Sequence, residues 1–152
     1  MPTPPEAEPR DPRLNPARLF SRVHRLFARI MERRLRALGL SIGQLPVLAA
    51  LEGGISLPQR DLARIAEIEQ PSMAQILTRM DRDGLIERRR DPHDARSSLI
   101  SLTAAAVAQL PAARQAFQQG GREALQGFDD ADVETLARLL QRVIGNLDGL
   151  AD

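Results

Sequence analysis

Cysteine and lysine are both absent from this 152-residue chain. The missing cysteine excludes disulfides, thiolate zinc sites and cysteine nucleophiles. Because lysine is missing, all 21 basic residues are arginine. The chain therefore cannot have a P-loop lysine, a Schiff-base lysine or a lysine general base. Only His24 and His93 remain as imidazole groups, and the common catalytic motifs with glycine, serine or histidine are not found. The sequence therefore predicts a protein that is not an enzyme.

Long hydrophobic runs are also missing. No uninterrupted apolar stretch approaches the ~20 residues of a membrane span, and the first residues lack the basic and apolar regions of a signal peptide. Hydrophobic residues make up 43% and charged residues 27% of the chain, which is typical of an ordinary globular protein. We expect a soluble, cytoplasmic protein with no membrane partner.

Proline is concentrated at one end of the chain. Six of the eleven prolines fall within the first sixteen residues, where there is almost nothing to bury. We expect residues 1–13 to form a flexible arm.

The net charge of +1 conceals a strong asymmetry. Residues 18–36 hold seven arginines and one glutamate, whereas residues 115–152 hold three arginines and seven acidic residues. A basic amphipathic helix at the front of the chain can lie on a membrane, dock on a partner or pack in a dimer. Its apolar stripe lacks tryptophan and continues through a compact domain, which favours a dimer. The basic front and the acidic tail are then expected to meet across the dimer.

Apolar spacing and stop signals predict the order of the elements. A first helix runs from Pro16 to Gly39, and a second runs from Ser41 to the pair Gly53-Gly54. A short third helix covers 57–66 and begins near Pro58. The last helix begins at Asp129 or Asp130, where acidic residues suit the helix dipole.

The helix over 70–80 has two unlike faces. Met73, Ile76, Leu77 and Met80 recur at i, i+3, i+4 and i+7, whereas the opposite face is small and polar. Glutamine and arginine on that face are among the side chains that read base edges in DNA. From this helix alone, an ordinary surface helix is an equally good interpretation.

A hairpin and a long helix follow. Gly84 ends the preceding helix, two short strands cover 85–90 and 98–102 around a turn-rich loop, and Thr103 begins a long helix. Three short helices followed by a hairpin are typical of a winged helix-turn-helix, which places its last short helix in the major groove. The fold class is thus mainly α with a small β-hairpin wing (α+β). We expect its long flanking helices to pack against a second copy, so that two recognition helices meet a pseudo-palindromic DNA site.

Three segments then carry a resemblance. The residues EQPSM at 69–73, DRDGLIERR at 81–89 and DPHDARSSLISLT at 91–103 resemble the MarR family of bacterial transcription regulators. The resemblance begins near Leu14. It implies a homodimeric transcription repressor that binds double-stranded DNA. It also implies a single domain over 14–152, with dimerisation helices at 14–38 and 104–150 and a DNA-binding lobe at 41–103.

The resemblance implies roles for individual residues. It places five residues of the recognition helix at the major groove, namely Pro71, Ser72, Met73, Gln75 and Arg79. Many relatives have arginine at the position of Gln75, and glutamine suits adenine where arginine suits guanine. In the wing, Asp94 is expected to hold the guanidinium of Arg96, which enters the minor groove. The remaining contacts to the DNA backbone or from the wing are expected from Gln59, Arg88, Arg90 and Ser97.

The family also implies an effector, an aromatic carboxylate or a phenol. Phe20, His24 and Phe27 are spaced to project near one another, and Arg22 or Arg25 is available to pair with a carboxylate. A histidine on such a face, as His24 is, is more often a packing residue than a ligand contact. We expect no cofactor.

Three alternatives remain open at this point. Asp91, His93 and Asp94 are potential metal ligands, although the turn-forming residues of a tight loop explain them without a metal. The same fold also serves nucleoid-type proteins that bind DNA without sequence preference and modules that bind another protein. Non-specific binding would be driven by phosphates and indifferent to Gln75.

Overall fold

The computed structural model describes residues 11, 14–94 and 96–151. The predicted arm at 1–13 therefore lies almost entirely outside the described residues. Six α-helices and three short β-strands are described: α1 (Pro16–Arg36), α2 (Leu45–Ala50), β1 (Leu57–Pro58), α3 (Gln59–Ile65), α4 (Gln70–Arg82), β2 (Ile86–Arg90), β3 (Ser98–Leu102), α5 (Ala104–Ala124) and α6 (Asp130–Ala151).

Local capping explains where the first two helices begin. The Asn15 side chain accepts hydrogen bonds from the backbone N–H groups of Ala17 and Arg18, at 3.0 and 3.3 Å, and Pro16 supplies the first helical residue of α1. A 3₁₀ turn over Ile42–Gln44 leads directly into α2. Ser41 and Gln44 form a capping box at the start of this turn. Both predicted helices are confirmed.

The sheet has three strands rather than the two of the predicted hairpin. β1 pairs antiparallel with β3, with Leu57 opposite Ile100, and β3 also pairs with β2. The short helix predicted over 57–66 is confirmed, but it begins at Gln59, and Leu57 and Pro58 belong to β1 instead. Leu57 precedes Pro58, and the proline ring disfavours helical geometry in the residue before it.

A single core cluster holds the helices around this sheet. The side chains that are wholly excluded from solvent come from α1, α2, α3, α4, β3 and α5, and they include Met31, Leu35, Leu62, Met73, Leu77, Met80 and Ile100. Burial of side chains of this size is worth roughly 1.5–3 kcal/mol each, so the cluster is the main source of stability for these elements.

The turn between α3 and α4 passes through a left-handed backbone conformation. Glu67 has a φ of 52°, in a region that glycine adopts far more readily than residues with a β-carbon. The turn brings the N-terminus of α4 back beside α3, which is the helix-turn-helix arrangement.

The described residues divide into two compact units. The first extends through Phe117, and the second begins at Gln118, so the division falls within α5. No helix of the described segments is long and apolar enough to cross a bilayer. The domain boundaries predicted from the sequence stay a prediction.

Thr103 joins the end of α4 to the start of α5. Its hydroxyl donates to the carbonyl oxygen of Gly84 at 2.7 Å and accepts from the N–H of Ala106 at 3.2 Å. Its backbone N–H donates to the carbonyl oxygen of Leu85 at 3.1 Å. The Thr103 side chain thus caps α5 and fastens it to the segment that follows α4. The predicted helix cap at Thr103 is confirmed.

Replacing Thr103 by valine should lower the free energy of unfolding by about 1–2 kcal/mol, because the cap is lost while the side-chain shape is kept. Thr103→Ser retains the hydroxyl and should cost less than about 0.5 kcal/mol. Urea unfolding followed by circular dichroism measures both. Equal losses in the two variants would contradict a role for the hydroxyl.

Candidate nucleic-acid interface

Helix α4 is anchored by one face and open on the other. Met73, Leu77 and Met80 are fully buried in the core. On the opposite side, four residues predicted at the major groove are exposed: Pro71, Ser72, Gln75 and Arg79. A helix that buries one stripe presents the other at a fixed angle, as readout of base edges requires.

Met73 does not belong to this exposed set. Its side chain is 0% exposed, so the prediction that it lies at the DNA surface is wrong. The position of Met73 in the i, i+3, i+4, i+7 stripe indicates burial, whereas the family resemblance implies contact with DNA.

Two further residues share the exposed face of α4. At 100° per residue, Thr78 and Arg82 lie close to Gln75 around the helix axis, and both are exposed. The Thr78 hydroxyl donates to the carbonyl oxygen of Ala74 at 2.8 Å, and Nε of Arg82 donates to Asp83 at 3.0 Å. Helical periodicity alone identifies them, although neither was among the predicted contacts.

Gln59 links the N-termini of the two helices in the helix-turn-helix. Its amide nitrogen donates to the side-chain oxygen of Gln70 at 3.2 Å. Gln59 begins α3 and Gln70 begins α4, so the bond joins the two helix starts. Gln59 is half-buried, and its predicted contact with the DNA backbone stays a prediction.

The wing loop is built from two side-chain-to-backbone turns. A carboxylate oxygen of Asp91 accepts from the N–H of His93 at 2.8 Å, and one of Asp94 accepts from the N–H of Arg96 at 2.9 Å. Backbone bonds from Asp91 to Ser97 and from Ser97 to Asp94, at 3.2 and 2.9 Å, close the loop. Asx turns of this kind hold a short loop in one shape.

This geometry corrects the role predicted for Asp94. Its carboxylate binds the backbone of Arg96, and no ion pair to the Arg96 guanidinium occurs within the described part of the wing. Arg96 is exposed near the end of the loop, with its charge available to a ligand. Ala95, which lies between Asp94 and Arg96 in the sequence, is outside the described residues.

The three arginines of β2 have different environments. Arg88 pairs with Asp81 at 3.2 Å, with its side chain 34% exposed, and so ties the wing to α4. Arg89 pairs with Glu87 at 3.0 Å. Among the described residues Arg90 has no acidic partner, and it is exposed. The prediction of a DNA contact is therefore better supported for Arg90 than for Arg88.

The residues that resembled a metal site serve the loop instead. The carboxylates of Asp91 and Asp94 each accept a backbone hydrogen bond, as described above. Across residues 14–94 and 96–151, no group of three histidine or acidic side chains could hold a metal ion.

The predicted effector residues are only partly brought together. Phe20, His24 and Phe27 share one side of α1, and the ring of Phe27 packs edge-on against Phe117 of α5 with centroids 5.5 Å apart. Arg25 lies about 140° from Phe20 around the helix axis. The structure therefore does not place the predicted Arg25 with the other three.

The fold and this surface define a DNA-binding protein of the winged helix-turn-helix class, in which α4 is the recognition helix and β2 and β3 form the wing. Comparisons with known proteins agree. The family model described as "MarR family" matches residues 38–97. Over these residues the chain is similar to the MarR family.

Individual relatives match longer segments. The chain is 26% identical over 133 residues to the HTH-type transcriptional repressor IacR of Pseudomonas putida, covering 86% of this chain and 78% of that protein. It is 36% identical over 89 residues to the homoprotocatechuate degradative operon repressor of Escherichia coli, covering 59% of this chain and 60% of that repressor.

A solved structure supports the fold. A mutant of MarR from Escherichia coli in complex with operator DNA superposes with a TM-score of 0.76 at 24% identity, covering 84% of this chain and 91% of that chain. The shared architecture is the winged helix.

The two possible roles of Asp94 predict different mutational results. Asp94→Asn keeps the oxygen that accepts from the Arg96 N–H, so affinity for an operator duplex should stay within about twofold. Asp94→Ala removes that acceptor and should weaken binding by about 3–10-fold through a looser loop. Fluorescence anisotropy at fixed salt measures both. An equal loss for asparagine and alanine would show that the carboxylate charge matters, contrary to the geometry.

Proposed function

We propose that this protein is a sequence-specific DNA-binding transcription repressor that acts as a homodimer on a pseudo-palindromic operator. The observation that carries the proposal is the division of α4 into a fully buried stripe and an exposed face with Gln75 and Arg79. A recognition helix fixed by its core can hold a glutamine at the depth and angle that adenine readout needs. The protein would act in the cytoplasm, where its operator lies, and the proposal includes no catalytic step.

The wing supplies the second part of the DNA contact. Arg90 and Arg96 are exposed, and within the described chain neither has a carboxylate partner. Guanidinium groups of this kind bind phosphates or enter a narrow minor groove, where the negative potential is enhanced. These two residues would add affinity, whereas Gln75 would add discrimination between sequences.

Repression is supported by the two curated relatives, both of which are named as repressors. A protein that occupies a promoter excludes polymerase from it without any further activity. The position of the operator relative to the promoter then decides whether binding represses or activates transcription.

The homodimer is supported by exposed apolar side chains in each unit. In the first unit, Leu19, Phe20, Val23 and Leu26 of α1 are 40–64% exposed. In the second unit, α6 exposes an apolar series that a second copy would cover: Leu139, Leu140, Ile144, Leu147 and Leu150. Apolar faces of this size mark an interface, and two-fold symmetry would set two α4 helices about one DNA turn apart.

Gln75→Ala should reduce discrimination more than affinity for random DNA. The expected result is a fall of about tenfold or more in the ratio of operator affinity to random-duplex affinity, because a bidentate base contact is lost. Anisotropy titrations against both duplexes at one salt concentration give the ratio. Gln118→Ala, which removes an exposed glutamine from α5, is the matched control and should leave the ratio unchanged. An unchanged ratio in Gln75→Ala would favour a nucleoid-type protein, whose binding depends on phosphates alone.

We further propose that an aromatic carboxylate or phenol releases the protein from DNA. The name of one relative associates it with an operon for homoprotocatechuate degradation. In this chain, Phe20, His24 and Phe27 offer aromatic and imidazole surface on one side of α1. A ligand that prefers a dimer with wrongly spaced recognition helices would lower operator occupancy by population shift.

The effector hypothesis predicts reciprocal linkage. Homoprotocatechuate, benzoate and salicylate should be tested as ligands by calorimetry, and an effective ligand should weaken operator binding by the same factor by which operator DNA weakens ligand binding. A ligand that binds while operator affinity stays constant would contradict the coupling. His24→Ala should weaken ligand binding without changing affinity for operator in the absence of ligand.

A further inference from the structure

The last turn of α4 ends in a hydrogen-bonded backbone cap. The N–H of Leu85 donates to the carbonyl oxygen of Met80 at 2.8 Å, and the N–H of Gly84 donates to the carbonyl oxygen of Asp81 at 3.0 Å. Gly84 has a φ of 69°, and the two bonds together form a Schellman motif. Met80 and Leu85 are both buried. Asp83, which this motif encloses, therefore has a fixed backbone.

Helix stability does not explain the carboxylate of Asp83. The residue lies at the C-terminal end of α4, where the helix dipole favours cations and disfavours acidic groups. It also belongs to the proposed DNA surface, where phosphates repel a negative charge. Within the described residues, the one partner of its side chain is Arg82, whose Nε donates to a carboxylate oxygen at 3.0 Å. The role of Asp83 therefore depends on Arg82.

The hydrogen bond to Asp83 orients the guanidinium of Arg82. Nε of an arginine carries a single N–H group, and here that group is directed at the carboxylate. The donors on the two terminal nitrogens remain, and they form a planar fork that binds two oxygens at once. The Arg82 side chain is 73% exposed, whereas that of Asp83 is 36% exposed. The fork is thus open to a ligand while its support is partly enclosed.

Arg82 lies in line with Gln75 on the open face of α4. The two residues are seven positions apart, which places them within about 20° around the helix axis and about 10 Å along it. In a recognition helix the N-terminal residues approach the base edges, so the last turn lies farther from the bases and closer to the phosphates. Since the major groove is roughly 12 Å wide, an arginine at this distance from Gln75 reaches the wall of the groove.

We propose that Arg82 binds a DNA phosphate through its two terminal nitrogens and that Asp83 is the residue that positions it. The inference rests on the DNA binding proposed above and adds a contact at the C-terminal end of α4. A phosphate presents its oxygens in the geometry that the guanidinium fork matches. Because phosphates are the same in every sequence, Arg82 contributes affinity and register, whereas Gln75 contributes discrimination.

Arg82→Ala should weaken binding to every duplex by a common factor. We expect a loss of about fivefold or more at low salt, both for a duplex selected from a random pool and for a scrambled duplex of the same length. The slope of log affinity against log salt should also become shallower, by about 0.9 for each phosphate contact that is lost. Fluorescence anisotropy across a salt series measures both quantities. Arg122→Ala, which removes an exposed arginine of α5, is the matched control and should change neither.

The positioning role of Asp83 predicts a change of sign between two backgrounds. In the wild-type background, Asp83→Ala should weaken binding to both duplexes by about threefold, although it removes a charge that phosphates repel. Asp83→Asn keeps an oxygen that accepts from Nε, so its affinity should equal or exceed that of the wild type. In an Arg82→Ala background, Asp83→Ala should tighten binding, because only the repulsion is left to remove. Circular dichroism and urea unfolding show that each variant keeps the fold.

Four outcomes would overturn the inference. Tighter binding by Asp83→Ala in the wild-type background would show that its carboxylate only repels DNA. An equal loss with and without Arg82 would give Asp83 a structural role instead. Unchanged affinity in Arg82→Ala would remove this side chain from the interface, and a fall in the ratio of selected to scrambled affinity would assign it to a base edge.

The proposed function is tested separately. If Gln75→Ala still lowers discrimination in any of these cases, sequence-specific binding stands and only the roles of Arg82 and Asp83 are refuted. A wild-type chain that binds both duplexes equally would refute sequence specificity, while the phosphate contact is still measured on the scrambled duplex. A wild-type chain that binds neither duplex would refute both proposals.

Discussion

Burial of three side chains of α4 is the interaction on which the rest of the structure depends. Met73, Leu77 and Met80 are wholly excluded from water, so the helix has one orientation relative to the core. That orientation decides which residues face outward, and it places Gln75 and Arg79 on the open side. Specific recognition needs side chains held at fixed positions, because the donors and acceptors of a base pair are separated by only a few ångströms.

The surrounding polar contacts fix the C-terminal end of the same helix. Arg88 reaches from β2 to Asp81, and Thr103 connects Gly84 to the start of α5. The wing and the long helix are thus both fastened at the point where α4 ends. The end of α4 and the start of α5 are therefore joined by a short path of hydrogen bonds through Thr103.

The order of helices and strands was predictable because it is set by local chemistry. Proline and asparagine at the start of α1, the glycine that ends α4 and the threonine that caps α5 act within a few residues of their own position. Strand β1 was not predicted, because local chemistry does not show which distant strand a segment pairs with. Leu57 is extended because Ile100 lies opposite it, and a partner more than forty residues away leaves no local signal except the following proline.

The sequence indicated which residues lie at the candidate DNA surface, but it did not indicate which partner each charged side chain binds. Arginines and aspartates look alike in a sequence whether they face a ligand or each other. Arg88 has its charge matched by Asp81, whereas Arg90, two residues later on the same strand, has no acidic partner in the described chain. Asp94 was expected to hold a guanidinium and instead shapes the loop backbone. These outcomes depend on the fold of the wing, which brings distant charges together.

Net charge illustrates the same point at a larger scale. A total of +1 would suggest little affinity for DNA, yet the positive charge is concentrated on α1 and the negative charge on the second unit. In the proposed function, α4 reads a specific DNA sequence and does so in a two-fold arrangement. Selection of bound molecules from a pool of random duplexes tests it most directly. We expect one pseudo-palindromic consensus with half-sites about ten base pairs apart. Recovery of unrelated sequences with no common half-site would refute specific two-fold recognition by α4.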